Sequence, residues 1–281
     1  MVLEALALVT SFANALGSVF IAKGMKESSP IVAAFYSVLT QATILTGVLA
    51  TKSPSLNFTA VFLFALGGFL SLGVGRLLYF VAMKGIGVAR SSAVIGSSPV
   101  FTVLLSIPIL SDQPTINIVL GAVTVTSGIV LISGAKSFKC EKALVIALVS
   151  TLSYALSNVV SKAGLRVESD PFLSAQVGSL SGLLFFLFYI ILTNRKGEVK
   201  IAMKNLFYFI TTGVVMSVGW LTMMEALRLG SVSVVTTIVY SYPLFTLLLT
   251  HLLLKEERFG YGEVLGCIFI VIGVSFVALF K

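Results

Sequence analysis

The chain repeats a series of short motifs in the same order in its two halves. The matched pairs are Ala82-Met83-Lys84 with Ala226-Leu227-Arg228, Ser98-Pro99-Val100-Phe101-Thr102 with Tyr242-Pro243-Leu244-Phe245-Thr246, Asp112 with Glu257, and Gly121 with Gly266. Each pair is separated by 144 or 145 residues, so the two halves correspond almost without gaps. A chain of this kind is expected to fold as two copies of one unit.

Composition places both copies in a membrane. Hydrophobic residues make up 57% of the 281 residues, charged residues only 11%, and mean hydropathy is +1.07. A soluble domain this apolar would lack a polar surface, so a multi-pass protein of the cytoplasmic (cell) membrane is predicted. Stretches of about 20 apolar residues without period-two alternation indicate helices rather than barrel strands. Ten stretches qualify, approximately 2–22, 31–50, 59–82, 89–110, 115–134, 142–162, 171–193, 206–227, 232–254 and 260–280.

The repeat contains an odd number of spans, which determines its orientation. Five spans fall in residues 1–135 and five in residues 142–281, with a connecting loop at 136–141. The second copy must therefore enter the membrane upside down relative to the first. Two inverted five-helix repeats around a central cavity are a common architecture for transporters. An all-α integral membrane transporter is the leading interpretation.

The remaining composition argues against several other classes of protein. The net charge of +8 resides in short loops, where basic residues set topology, so nucleic acid is not an expected partner. Cys140 and Cys267 have no metal-ligand spacing, and no phosphate-binding Gly-x-x-x-x-Gly-Lys motif occurs. We therefore predict no cofactor, no metal, no catalytic residue and no direct use of ATP. An intramembrane enzyme or a channel-like pore stays open as an alternative.

The duplicated motifs resemble those of the drug/metabolite transporter superfamily, specifically its ten-helix EamA-type members. The resemblance rests on the helix-ending Ala82-Met83-Lys84, on Ser98-Pro99-Val100-Phe101-Thr102 and on the later acidic and glycine positions, each with its counterpart in the second half. It implies alternating-access transport of amino acids, metabolites or drugs, commonly as export. It also implies that both termini face the cytoplasm, whereas the distribution of Lys and Arg between the loops favours termini outside. The implied partners are a small-molecule substrate, the lipid bilayer, and protons or a counter-solute. The sequence leaves the oligomeric state and the solute open.

Ionisable residues within spans are candidates for the site because burying them in a membrane is costly. Arg76 lies in span three, and its repeat counterpart is Trp220, the only Trp. A guanidinium and an aromatic ring suit a substrate with a carboxylate and an apolar part. The alternative is that Arg76 reaches the interface along Tyr79 and Phe80. Glu225 is a weaker candidate, because an i,i+3 pair with Arg228 would hold it at the helix end.

Uncharged polar residues and two prolines complete the predicted site. The candidate substrate-binding residues are Arg76, Trp220, Tyr79, Asn14, Asn158, Ser97, Ser98, Tyr240, Tyr242 and Glu225. Such hydroxyls and amides, including those of Gln41 and Tyr154, can either join helices to one another or contact the substrate. Pro99 and Pro243 interrupt spans four and nine, and each removes a backbone hydrogen bond. We expect either static kinks or hinges beside the substrate at these two positions.

Overall fold

The computed structural model describes residues 1–49, 57–133, 142–194, 201–254 and 261–279, and these residues are helical apart from short turns. In chain order the helices are α1 (Val2–Met25), α2 (Pro30–Leu49), α3 (Phe58–Gly68), a π-helical segment (Phe69–Gly75), α4 (Arg76–Ile86), α5 (Val88–Gly96), α6 (Ser98–Leu110), α7 (Ile116–Ser133), α8 (Lys142–Val167), α9 (Pro171–Leu192), α10 (Met203–Leu229), α11 (Val232–Val239), α12 (Tyr242–Leu254) and α13 (Tyr261–Leu279). The predicted connecting loop at 136–141 and the motif residue Glu257 lie outside the described residues.

Eight helical segments within these ranges are long and apolar enough to cross a membrane. They are Val2–Met25, Pro30–Val48, Phe58–Ile86, Val88–Leu110, Lys142–Val167, Pro171–Leu192, Met203–Leu229 and Val232–Leu253. Two further apolar helices are shorter, Ile116–Leu131 and Ile268–Val277. Large apolar side chains such as Phe62, Leu184 and Phe188 are exposed on the outer surface, where lipid would cover them. The all-helical membrane class is therefore confirmed, and a total of ten spans stays a prediction.

Spans four and nine are broken helices. In span four, α5 ends at Gly96 and α6 begins at Ser98, so Pro99 lies in the first turn of a new helix, where its missing N–H removes no helical bond. In span nine, α11 ends at Val239 and α12 begins at Tyr242, which places Pro243 in the same way. The two breaks lie against each other, because a Cβ on Gly96 would be 2.8 Å from Pro243 Cγ.

Small residues allow the helices to approach closely. A Cβ on Gly213 of α10 would contact Thr40 and the Ser37 carbonyl of α2, and small residues permit such close approach of helices in a membrane. Gly121 of α7 faces Gly273 of α13, and Gly128 faces Gly266. The positions increase along one helix as they decrease along the other, so α7 and α13 run antiparallel.

Cationic side chains at the end of α8 bind the ends of neighbouring helices. Lys162 Nζ donates to the carbonyls of Leu227 (2.6 Å), in the last turn of α10, and of Gly230 (2.7 Å), which follows that helix. Arg166 donates to the Leu110 carbonyl at the end of α6 and pairs with Asp112, both at 2.5 Å. These carbonyls have no partner within their own helices, and a nearby cation also complements the helix dipole. Asp112 is thus a loop residue that connects α8 to the end of α6.

Candidate functional site: a central cavity around Arg76

The local structure before Arg76 is a π-helical segment, Phe69–Gly75, inside a span that is otherwise α-helical. π-Helical turns are rare and are frequent at functional sites. Three serines on one face of α8 donate to carbonyls in or beside this segment: Ser150 to Gly75 (2.8 Å), Ser153 to Leu70 (2.7 Å) and Ser157 to Gly67 (2.7 Å). These bonds supply partners to a distorted backbone in an environment without competing water, and the segment sets the direction in which Arg76 leaves the helix.

Arg76 is buried, with 5% of its surface exposed. Among the buried side chains of the described ranges, it is the only charged one. Its Nη1 donates to Gln41 Oε1 of α2 at 2.9 Å, and Tyr154 of α8 interacts with the same guanidinium. No carboxylate pairs with Arg76 in the part of the chain that the structure describes. The predicted alternative, in which Arg76 reaches the membrane interface, is wrong because the side chain lies in the protein interior.

A central cavity of about 70 Å³ adjoins Arg76. Side chains from α1, α4, α5, α8, α10 and the end of α11 line it, together with the π-helical segment and the break before α12. The cavity brings together seven of the ten predicted substrate-binding residues, namely Asn14, Arg76, Tyr79, Asn158, Trp220, Tyr240 and Tyr242. The space is sufficient for a few water molecules and small compared with the pockets that hold drug-sized ligands.

Trp220 presents its ring to the cavity. Its indole Nε1 donates to the Ala175 carbonyl of α9 at 3.2 Å, so the polar edge of the ring is already satisfied. A Cβ on Gly178 would be 3.3 Å from Trp220 Cζ2, which shows that the ring packs directly on the α9 backbone. The indole is held in one orientation, and the part left for a ligand is apolar.

Hydroxyl and amide groups surround the remaining wall. Ser18 and Tyr79 share a hydrogen bond of 3.0 Å, and Asn158 Nδ2 donates to the Tyr240 hydroxyl at 3.1 Å. Tyr242 interacts with Tyr79. These neutral groups can donate to or accept from a ligand without adding charge, so the charge of the described wall is that of Arg76.

Three predicted residues lie outside this cavity. Ser97 and Ser98 are at the break in span four, where Ser97 Oγ donates to the Val94 carbonyl (2.6 Å) and Ser98 Oγ to the Thr151 carbonyl (3.5 Å). The Ser97 hydroxyl therefore contacts backbone, whereas Ser98 also interacts with Tyr240 of the cavity wall. Glu225 forms a two-pronged ion pair with Arg228 at the end of α10, and a separate surface crevice adjoins it. The i,i+3 spacing explains why this carboxylate remains at the helix end.

The substrate-binding residues predicted from the sequence do not include Gln41 and Tyr154. Tyr154 lies four residues before Asn158, on the same face of α8, so the helical spacing could have identified it. Gln41 has no comparable spacing to a site residue in its own helix. It reaches the site only through Arg76, because α2 contributes no residue to the cavity wall. No group of three or more His, Cys, Asp or Glu side chains in the described residues could hold a metal ion.

A polar cavity with one cation, enclosed by apolar helices, is typical of membrane transport proteins. The chain belongs to the EamA-like transporter family, whose sequence pattern matches residues 2–134 and 141–279. An uncharacterized transporter from Archaeoglobus fulgidus is 23% identical over 259 residues, which cover 92% of this chain and 91% of that protein. A protein crystal structure is similar in fold, with a TM-score of 0.80 at 18% identity and 99% of both chains covered. Family and relative indicate a multi-pass membrane transporter rather than an enzyme.

Proposed function

We propose that this transporter is a secondary carrier for a small organic solute with an anionic or zwitterionic head and an apolar part. The observation that supports this most strongly is Arg76, a buried guanidinium in the cavity wall that pairs with no carboxylate of the described residues. A buried charge without a counter-charge is unfavourable in a low-dielectric interior. A carboxylate on the substrate would supply the missing charge through two parallel hydrogen bonds.

The other walls suit the remainder of such a solute. Trp220 offers an aromatic face, since its N–H is occupied by Ala175. Tyr79, Tyr240 and Asn158 offer neutral hydrogen-bonding groups. A ligand with one acidic group, a few polar atoms and an apolar side chain would therefore use every part of the cavity.

We propose that the chain is built from two inverted five-helix repeats, residues 1–135 and 142–281, joined at 136–141. The separate family matches to 2–134 and 141–279 support this division. So do exchanged contacts: a Cβ on Gly24 would meet Phe209, and one on Gly164 would meet Phe64. Gly24 and Gly164 are repeat counterparts 140 residues apart, and Phe64 and Phe209 are 145 apart. Antiparallel packing of α7 against α13, which are equivalent helices, is the relation that an inverted repeat requires.

Alternating access is the mechanism that best fits a cavity of this size. The present cavity is smaller than an organic solute, so the surrounding helices must move to admit one. We assign Pro99 and Pro243 as hinges, because each begins the second half of a broken helix and the two breaks are in contact. The energy source in this proposal is a gradient of protons or of a counter-solute, and the resemblance to EamA-type members implies export.

Counterflow uptake into proteoliposomes tests this proposal. Purified protein would be reconstituted and offered a panel of labelled amino acids, organic acids and neutral metabolites, at equal pH on both sides. We expect saturable uptake of a carboxylate-bearing solute and roughly a 100-fold loss of apparent affinity in Arg76→Ala, because one partner of a buried charge pair is removed. Arg228→Ala is the matched control, because it removes an arginine that pairs with Glu225 at a helix end. Unchanged uptake by Arg76→Ala would overturn the site and leave the fold intact.

A further inference from the structure

Gln41 is a buried amide that contacts Arg76, the proposed substrate-binding cation, on the side away from the cavity. It has no exposed surface, and its Oε1 accepts from Arg76 Nη1 at 2.9 Å. Arg76 lines the cavity, whereas Gln41 and the remainder of α2 do not. The guanidinium therefore lies between Gln41 and the cavity.

The hydrogen-bonding pattern of Gln41 indicates more than adhesion between two helices. Its Nε2 has no hydrogen-bond partner in the described structure, although the atom is buried. A buried donor without a partner is destabilising, and an apolar residue of similar length would remove it. The group that Gln41 does use is its carbonyl oxygen, and that oxygen is directed at Arg76.

The choice of an amide rather than a carboxylate determines the charge of the site. A glutamate in this position would form a charge-assisted pair with Arg76 and neutralise it. The amide oxygen accepts one N–H and leaves the full positive charge. The guanidinium N–H groups that Gln41 and Tyr154 do not engage can then bind a ligand on the cavity side, and the cavity stays cationic.

We propose that Gln41 is a positioning residue that gives the transporter its selectivity for anionic groups. It orients Arg76 toward the cavity and keeps the guanidinium charge uncompensated until a substrate arrives. This inference rests on the proposed function, because it assigns to Gln41 the selectivity of the same site.

The test compares an acid with its neutral analogue in purified wild-type and variant protein. Phenylacetate and phenylacetamide have similar shapes and differ in charge, and fluorescence of Trp220, the only Trp in the chain, reports binding in the cavity. We expect wild-type protein to bind the acid at least 10-fold more tightly than the amide. Gln41→Glu should reduce this ratio to about one or below, because its carboxylate occupies Arg76.

Two further variants separate positioning from a structural role. Gln41→Met removes the acceptor without adding charge, and it should weaken the acid several-fold while leaving amide binding unchanged. Gln176→Glu adds the same charge to α9, and it should keep the wild-type ratio. If the Gln41 variants lower thermal stability but preserve the acid-to-amide ratio, this inference is wrong. If wild-type protein shows no preference for the acid, the proposed function fails and the inference fails with it.

Discussion

Gly68 is the position at which a single added methyl group should disrupt the fold most directly. This residue ends α3, and a Cβ placed there would lie 2.5 Å from the carbonyl carbon of Gly178 in α9, and closer still to two other atoms of that backbone. Carbon atoms in contact favour about 3.5 Å or more. Two other atoms are closer still, so the two helices would have to separate by at least about 1 Å. No side chain can move aside, because the obstructing atoms all belong to the main chain.

The magnitude follows from this geometry. Overpacking a well-packed interior costs about 1–3 kcal/mol, and a backbone obstacle places Gly68→Ala near the upper limit. Replacing Gly by Ala within a helix by itself stabilises the folded protein by about 0.5–1 kcal/mol. The expected net loss is therefore about 2 kcal/mol, or about 4–8 °C in Tm if this chain behaves like soluble domains of similar size. Gly47→Ala is the matched control, because a Cβ there meets nothing within 4 Å and only the gain remains.

Thermal unfolding of the two variants in the same detergent measures the difference. A second measurement is the emission maximum of Trp220, which packs on Gly178 and should report any displacement of α9. Equal melting temperatures for Gly68→Ala and Gly47→Ala would refute the close backbone contact between α3 and α9. A lower melting temperature with unchanged Trp220 emission would show that the separation does not reach the cavity wall.

Two further substitutions test the contacts of α8. Ser157→Ala removes the hydrogen bond to the Gly67 carbonyl and should lower the free energy of unfolding by about 1 kcal/mol, as measured by thermal melting. Ser127→Ala is the control, because it loses only a hydrogen bond within its own exposed helix turn, and it should have little effect. Asp112→Asn removes the ion pair with Arg166, whose side chain is 45% exposed, whereas that of Asp112 is 13% exposed. Because solvent reaches the arginine, the loss should be about 1 kcal/mol and should shrink as salt is added. A salt-independent loss of several kcal/mol would show that this pair is buried in the folded protein.

The membrane class and the approximate limits of the spans followed from the sequence because a bilayer imposes a simple length requirement on apolar segments. Arg76 and Trp220, which the sequence pairs by their 144-residue separation, both line one cavity, and the repeat relation between their spans stays a prediction. Pro99 indicated an interruption, although the structure has a new helix starting there rather than a kink within one.

Contacts between distant parts of the chain could not be predicted in this way. The bond between Gln41 and Arg76 depends on the rotation of α2 about its own axis, and a helix that is apolar on all sides gives no periodic signal for that rotation. The π-helical segment likewise depends on partners such as Ser150, which is 75 residues away from its acceptor Gly75. Local sequence preferences contain no information about either arrangement.

The π-helical segment also has a consequence for comparing this chain with its relatives. A π-helix closes its hydrogen bonds over five residues rather than four, so the segment accommodates more residues per turn than the helices on either side. Removing one residue between Phe69 and Gly75 would let the span become uniformly α-helical while the residues after it keep nearly the same rotation about the helix axis. Straightening the segment without a deletion would instead rotate Arg76 away from the cavity wall by about 100°. In family alignments, a one-residue gap at this point would therefore mark members that lack the π-helical segment and still direct the residue aligned with Arg76 at the cavity.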